Sequence, residues 1–214
     1  MHELDHLLWQ EHDLREGEAR FAELTGVTPA YGCPHAEGGT HNSLLSLGRE
    51  RYLELIAPNP ERPEHLNSEH PGTGGLLENA PPEAAPGLFT FAVKAADLDL
   101  VGQLAQRSGL EVLRQHGGRT TPSGETLTWE TATLKSHDFG GYVPFFIRWG
   151  EVVHPSETAP AGCELLEFSA FHPRHQELAE LYAALAVEVP VFGAEHPRLR
   201  ATLQTPRGRT VLES

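Results

Sequence analysis

The chain states one pattern twice, and that repetition limits its fold more than any other feature. Near the N-terminus, Leu4-Asp5-His6-Leu7-Leu8-Trp9 reads as a strand, followed by Asp13-Leu14 and a run with helical spacing. Further on, Leu88-Phe89-Thr90-Phe91-Ala92-Val93 reads as a strand, followed by Asp97-Leu98 and a second helical run. Asp97 follows Asp13 by the same interval that separates Thr90 from His6. Two copies of a strand–helix unit imply a duplicated architecture, and a cleft between copies is a natural place for a ligand.

In the first copy, residues 3–9 form the strand. Asp13 is the expected N-cap of a helix whose apolar stripe is Leu14, Phe21, Ala22 and Leu24, stopped by Gly26. Strands are expected at 27–31, 42–47 and 51–57, the last ended by Pro58. Residues 58–87 are rich in Pro, Gly, Asn and Glu and read as a linker, with one helical turn around Leu76-Leu77-Glu78. The second copy repeats the order: a strand at 88–93, a helix at 98–107, then strands near 110–115, 127–134 and 144–149. Gly117-Gly118 and Pro122-Ser123-Gly124 are expected in the loop between the first two of these. Residues 165–171, a helix at 175–186 and three short strands near 189–192, 198–204 and 209–212 suggest a third, tighter version. The expected layout is a first βαβββ module at 1–57, a linker at 58–87, a second module at 88–150 and a βαβββ-like extension at 151–214. The fold class is α+β, with repeated βαβββ modules forming curved mixed sheets around a cleft.

The 214 residues suit one large domain or two small modules. With 16 basic and 30 acidic residues the formal charge is −14, which repels nucleic acid and anionic membranes. No apolar stretch reaches membrane-spanning length, and Glu3, Asp5 and His6 stand where a signal peptide needs a basic start. The two cysteines, Cys33 and Cys163, form neither a CxxC motif nor a disulfide framework, so a reducing cytoplasm is expected. No nucleophile elbow, P-loop or dinucleotide fingerprint occurs, and no organic cofactor is evident. Of the 13 histidines most read as exposed or capping residues, His65 and His70 in the Pro/Gly/Glu-rich stretch among them.

Strand alternation singles out a smaller set. His6 shares a face with Leu8 and Gln10, and Glu54 with Tyr52 and Ile56, while Leu7, Trp9, Leu53 and Leu55 suit the helix side. An imidazole and a carboxylate converging from separate strands can ligate a divalent metal or form a buried hydrogen-bonded pair. Arg148 shares a face with Phe146. It reads as an anion anchor in the cleft or as the partner of an internal Glu. Asn42 can orient a ligand or cap its strand. Trp129 and Trp149 are candidate cleft walls, and Trp9 reads as core.

The stretches Leu4–Trp9, Phe21–Val27, Gly39-Thr40-His41-Asn42, Tyr52–Pro58 and Pro144–Trp149 resemble the vicinal-oxygen-chelate superfamily, and most closely its glyoxalase-like branch. In metal-dependent members each module supplies ligands from its first and last strands. The resemblance therefore implies His6 and Glu54 as metal ligands and catalytic groups, with Zn, Fe, Ni or Mn as the ion. The second module should match them at Thr90 and near Phe146, neither a good ligand. His41 and His137 are the remaining candidates for help. The implied activity is that of a metal-assisted lyase, isomerase or dioxygenase on a small oxygen-bearing molecule, with Glu54 as an alternative general base. Arg148, Asn42, His41, Phe146 and Trp149 would bind that molecule. The competing reading is a metal-free protein that sequesters its ligand. Pairing of modules between subunits, in a homodimer, is also implied.

Overall fold

The computed structural model describes residues 1–35, 39–61, 85–120 and 126–214. Leu76-Leu77-Glu78, Pro122-Ser123-Gly124, His65 and His70 lie outside them. The first unit runs β1 (Leu4–Gln10), α1 (Leu14–Thr25), β2 (Ala30–Pro34), β3 (Thr40–Ser46) and β4 (Tyr52–Pro58). The second runs β5 (Gly87–Lys94), α2 (Leu98–Arg107), β6 (Glu111–Thr120), β7 (Thr126–Lys135) and β8 (Phe145–Trp149). A short helix, α3 (Pro155–Thr158), leads to β9 (Glu164–His172), α4 (His175–Ala184), β10 (Val191–Gly193), β11 (Arg198–Thr205) and β12 (Gly208–Glu213).

The repeat in the sequence is a repeat in local chemistry. Asp13 accepts the backbone N–H groups of Arg15 and Glu16, and Asp97 those of Asp99 and Leu100, so the two helices start with one capping device. Gly26 closes α1 at φ 79°, a left-handed conformation that a side chain would strain. Because the two caps are the same device, Asp13→Ala and Asp97→Ala should each cost about 1 kcal/mol in urea unfolding. A cost for one and none for the other would show that the copies do not bear equal weight.

Eight strands form one curled mixed sheet in the order β2-β3-β4-β1-β5-β8-β7-β6. Within each copy the first strand lies parallel to the last, and the remaining pairs are antiparallel. The copies join where β1 runs antiparallel to β5. This order places the two first strands at the centre, so His6 lies near the seam rather than at an edge.

One face of the sheet packs on the helices. Leu7, Trp9, Leu53, Leu55, Phe91, Val93 and Phe146 share a core with Leu14 and Phe21 of α1 and Leu98 and Val101 of α2. Burying each large side chain is worth roughly 1.5–3 kcal/mol. The C-terminal unit closes this side: its four-stranded sheet, order β10-β9-β11-β12, sends Phe168, Leu199, Leu203 and Leu212 into the same core. Phe168 meets Phe91 at 5.0 Å between ring centroids. This unit keeps the βαβββ order but pairs β9 in parallel with β10, its second strand, rather than with its last. The other face of the curled eight-stranded sheet carries His6, Leu8 and Glu54 and is the side on which the cleft is expected.

Two element readings shift. β2 begins three residues later than expected, at Ala30. Gly117 and Gly118 lie inside β6 rather than in a loop, because a Cβ at Gly117 would meet the Trp129 indole lying across it from β7. Among the described residues, no helix is long and apolar enough to cross a membrane.

Candidate functional site

Strand pairing makes the site. His6 on β1 sits beside Tyr52 of β4, and Leu8 beside Glu54, so the imidazole and the carboxylate rise from adjacent strands on the cleft face. A bulge adds a residue that strict alternation hides. The β1–β5 register passes from Leu4–Val93 directly to His6–Ala92, leaving Asp5 as the extra residue. Asp5 therefore reaches the ring next to it: its Oδ1 accepts from His6 Nδ1 at 2.6 Å.

Asp5 is fully buried, at 0% exposure, and is a hub. Its Oδ2 accepts from Trp149 Nε1 at 3.1 Å and lies 3.2 Å from His154 Nε2. Burial opposes its charge, but hydrogen bonds and charge from His154 and His6 outweigh that and hold its pKa well below the carboxylate range. His154 caps α3. The backbone N–H of Ser156 donates to its Nδ1, which leaves Nε2 to donate to Asp5. The segment after β8 is thereby tied to β1 through one carboxylate.

On its other side, His6 Nε2 faces Glu54 Oε2 at 3.5 Å. Glu54 Oε1 accepts from Asn42 Nδ2 at 2.6 Å and lies 3.4 Å from His35 Nε2. The Asn42 amide is oriented because its Oδ1 accepts the backbone N–H of Cys33 at 3.1 Å. His35 Nδ1 lies 2.7 Å from Thr40 Oγ1. Burial pushes the Glu54 pKa up, but the His35 hydrogen bond and charge, with His6 and Asn42, bring it down to about 2. Tyr52 stacks on His6 at 4.4 Å between centroids, and Phe145 meets the ring edge-on at 5.5 Å.

These shifts have a sign in acid. A carboxylate with a depressed folded pKa adds stability above its unfolded value, and loses it as pH falls through the folded one. For Glu54 that window runs from its ordinary 4.5 down to about 2. Its loss should be about 3 kcal/mol, read as falling stability in urea titrations across that range. Glu54→Gln should flatten this slope; an unchanged slope would place the acid sensitivity elsewhere.

Of the residues that the sequence marks, the structure unites His6, Glu54, Asn42 and Trp149. It separates the others. Phe146 is paired with Val93 and lies in the helix-side core, so Phe145, Ile147 and Trp149 take the cleft face of β8. Arg148 shares the side of Phe146, as parity requires, and that side faces away from the cleft; it pairs with Glu130 at 2.8 Å. Neither Phe146 nor Arg148 lines the cleft, because the register of β8 against β5 sets its faces. His41 pairs with Ala57 and turns to the helix side, its ring 6.1 Å from Tyr31. The backbone N–H of Phe139 donates to His137 in the turn after β7. Asp5, His35, Tyr52 and His154 are the members that sequence reading does not single out. Only His154-Pro155-Ser156, with its cap and N1 proline, carries a local signal, and that signal is for a helix start.

The donor set for a metal is short. The second copy offers Thr90 and Phe145 where the first has His6 and Glu54. Among the described residues, no group of three or more His, Cys, Asp or Glu side chains converges as metal ligands. Asn42 Nδ2, a donor, stands between Glu54 and His35. These residues do not fit a three-ligand divalent site.

A duplicated βαβββ sheet of this kind is the vicinal-oxygen-chelate architecture, whose members often bind metals. Residues 4–186 match the glyoxalase-like domain, and the chain belongs to that family. Comparison with curated proteins returns no match. Among solved structures, a hypothetical protein from Staphylococcus aureus aligns over 100% of this chain and 85% of its own, with TM-score 0.70 and 16% identity. A methylmalonyl-CoA epimerase in complex with methylmalonyl-CoA and ammonium aligns over 72% of this chain and 99% of its own, with TM-score 0.49 and 18% identity. The Mycobacterium tuberculosis methylmalonyl-CoA epimerase aligns over 68% and 85%, with TM-score 0.43 and 16% identity.

Proposed function

We propose that the cleft binds a small oxygen-bearing organic molecule and that His6 moves a proton on it, as in an isomerase or lyase. The observation that carries this reading is the position of His6 between two carboxylates. Asp5, at 2.6 Å, accepts a hydrogen bond from Nδ1, so the ring in its neutral form presents its Nε2 lone pair toward the cleft side. Glu54 at 3.5 Å is too far for a good hydrogen bond and near enough to stabilise the ring once it is charged. With a C–H next to a carbonyl placed at Nε2, the ring takes the proton and the C–H pair moves into an enolate. Return of the proton at a different position isomerises the molecule; departure of a neighbouring leaving group makes the step a lyase. A positioned base of this kind contributes roughly 10²–10⁴-fold.

No step is routed through a metal, since the donor set stops at His6 and Glu54. An ion held there would take its other ligands from the bound molecule and water. The test is solvent exchange. The protein is incubated in D₂O with a panel of small ketones and 2-oxo acids, and deuterium is read by NMR beside a His6→Ala variant. Incorporation by the parent protein alone supports the reading. Equal incorporation by both proteins removes His6 from the chemistry. A second reading, ligand capture without turnover, is favoured by the apolar wall of Phe145, Ile147 and Trp149 on the second copy. It expects ligands that bind and never exchange.

A further inference from the structure

The two halves of the cleft differ in chemistry. The half from the first copy holds Asp5 and Glu54, both kept ionised by their partners. The half from the second copy is apolar and aromatic. Phe145 and Ile147 are buried there with Leu8 and Ala92, and Phe89, Trp129 and Trp149 pack against them half-buried. Trp129 and Trp149 lie 5.7 Å apart between centroids, tilted by 58°. A Cβ at Gly117 would overlap the Trp129 indole, so the glycine is what lets that ring lie flat on β6.

Two cations of the second copy are turned away from this wall. Arg148 turns to Glu130 on the opposite face, and Lys94, at the end of β5, is held by Glu50 at 2.7 Å. An anionic ligand placed against His6 would face two carboxylates already matched by His6, His35 and His154, with neither Arg148 nor Lys94 left over to hold it. A flat ring would find the aromatic wall, and its carbonyl or hydroxyl would find the polar cluster.

We infer that the molecule taken by this cleft is an uncharged, ring-bearing carbonyl or hydroxyl compound, its ring on Trp129 and Trp149 and its oxygen toward His6. This deepens the proposed function and rests on it for the orientation of the oxygen.

The test uses three one-ring probes that differ in charge: acetophenone, benzoate and benzylamine. Dissociation constants are measured by ligand-observed NMR on the full chain and on Trp129→Ala, with melting temperature as the check on folding. Acetophenone should bind about tenfold or more tighter than either charged probe. Trp129→Ala should weaken it by about tenfold while the melting temperature stays near that of the parent. Trp129→Phe, which keeps a ring, should restore most of the loss. Benzoate or benzylamine binding as tightly as acetophenone overturns the inference. So does an affinity indifferent to Trp129, or no binding by any probe. The same samples in D₂O separate the two levels. Acetophenone that binds without methyl-proton exchange supports the ligand class and removes the proton-transfer reading. In the panel of small ketones and 2-oxo acids, exchange confined to the 2-oxo acids does the reverse.

Discussion

Asp5→Ala should destabilise the protein by about 3–5 kcal/mol, among the largest effects expected of any single substitution in the cleft. The reason is the number of groups that one carboxylate serves. His6 Nδ1, Trp149 Nε1 and His154 Nε2 all converge on it in a site where its own exposure is 0%. Its removal leaves three donors without their acceptor, the most buried of them His6 at 2% exposure. Asp5→Asn separates shape from charge. The amide keeps the volume, but its NH₂ must point at either His6 or the Trp149–His154 pair, so one side meets a donor with a donor. That variant should lose about 1–3 kcal/mol. Urea unfolding of the two variants beside the parent measures both. A loss under 1 kcal/mol for Asp5→Ala would mean that the hub is replaced by water at little cost.

His6→Ala should be the gentler change for the fold and the harsher one for chemistry. Tyr52 loses a stacking partner and Asp5 keeps two of its three donors, so the sheet persists. Proton exchange on a bound carbonyl compound should fall by roughly 10²–10⁴-fold, measured as deuterium incorporation per unit time at saturating ligand. Binding should fall far less, because the ring-facing wall is on the other copy. A variant that keeps its exchange rate would assign the base elsewhere, with Glu54 the nearest group. A variant that loses binding and exchange together would make His6 a holder of the ligand rather than a base.

The architecture was legible because it is written locally and twice. Asp13 and Asp97 cap their helices in the same way, and the alternating leucines of β1 and β4 mark the helix side. The pairing of His6 with Glu54 follows from those periods and from the order of strands that the family resemblance supplies. What was not legible depends on register and on breaks in it. Alternation places Asp5 and His6 on opposite faces, and only the bulge between β1 and β5 brings them together. Alternation also relates Phe146 to Arg148 without saying which face is the cleft. The Phe146–Val93 pairing decides that, and it turns Arg148 outward. His35 and His154 reach the site from segments beyond strand ends, where no period runs. Gly117 looked like a turn because its role is to make room for a ring from the neighbouring strand.

The most direct test of the account is the tautomer of His6, read from the ¹⁵N resonances of its two ring nitrogens in labelled protein, assigned by comparison with His6→Ala. The expected result is that, in its neutral form, the ring carries its proton on Nδ1, bound to Asp5, and leaves Nε2 bare in the cleft. A proton on Nε2, directed at Glu54, would contradict the account, because the nitrogen that should accept a proton from the ligand would already carry one.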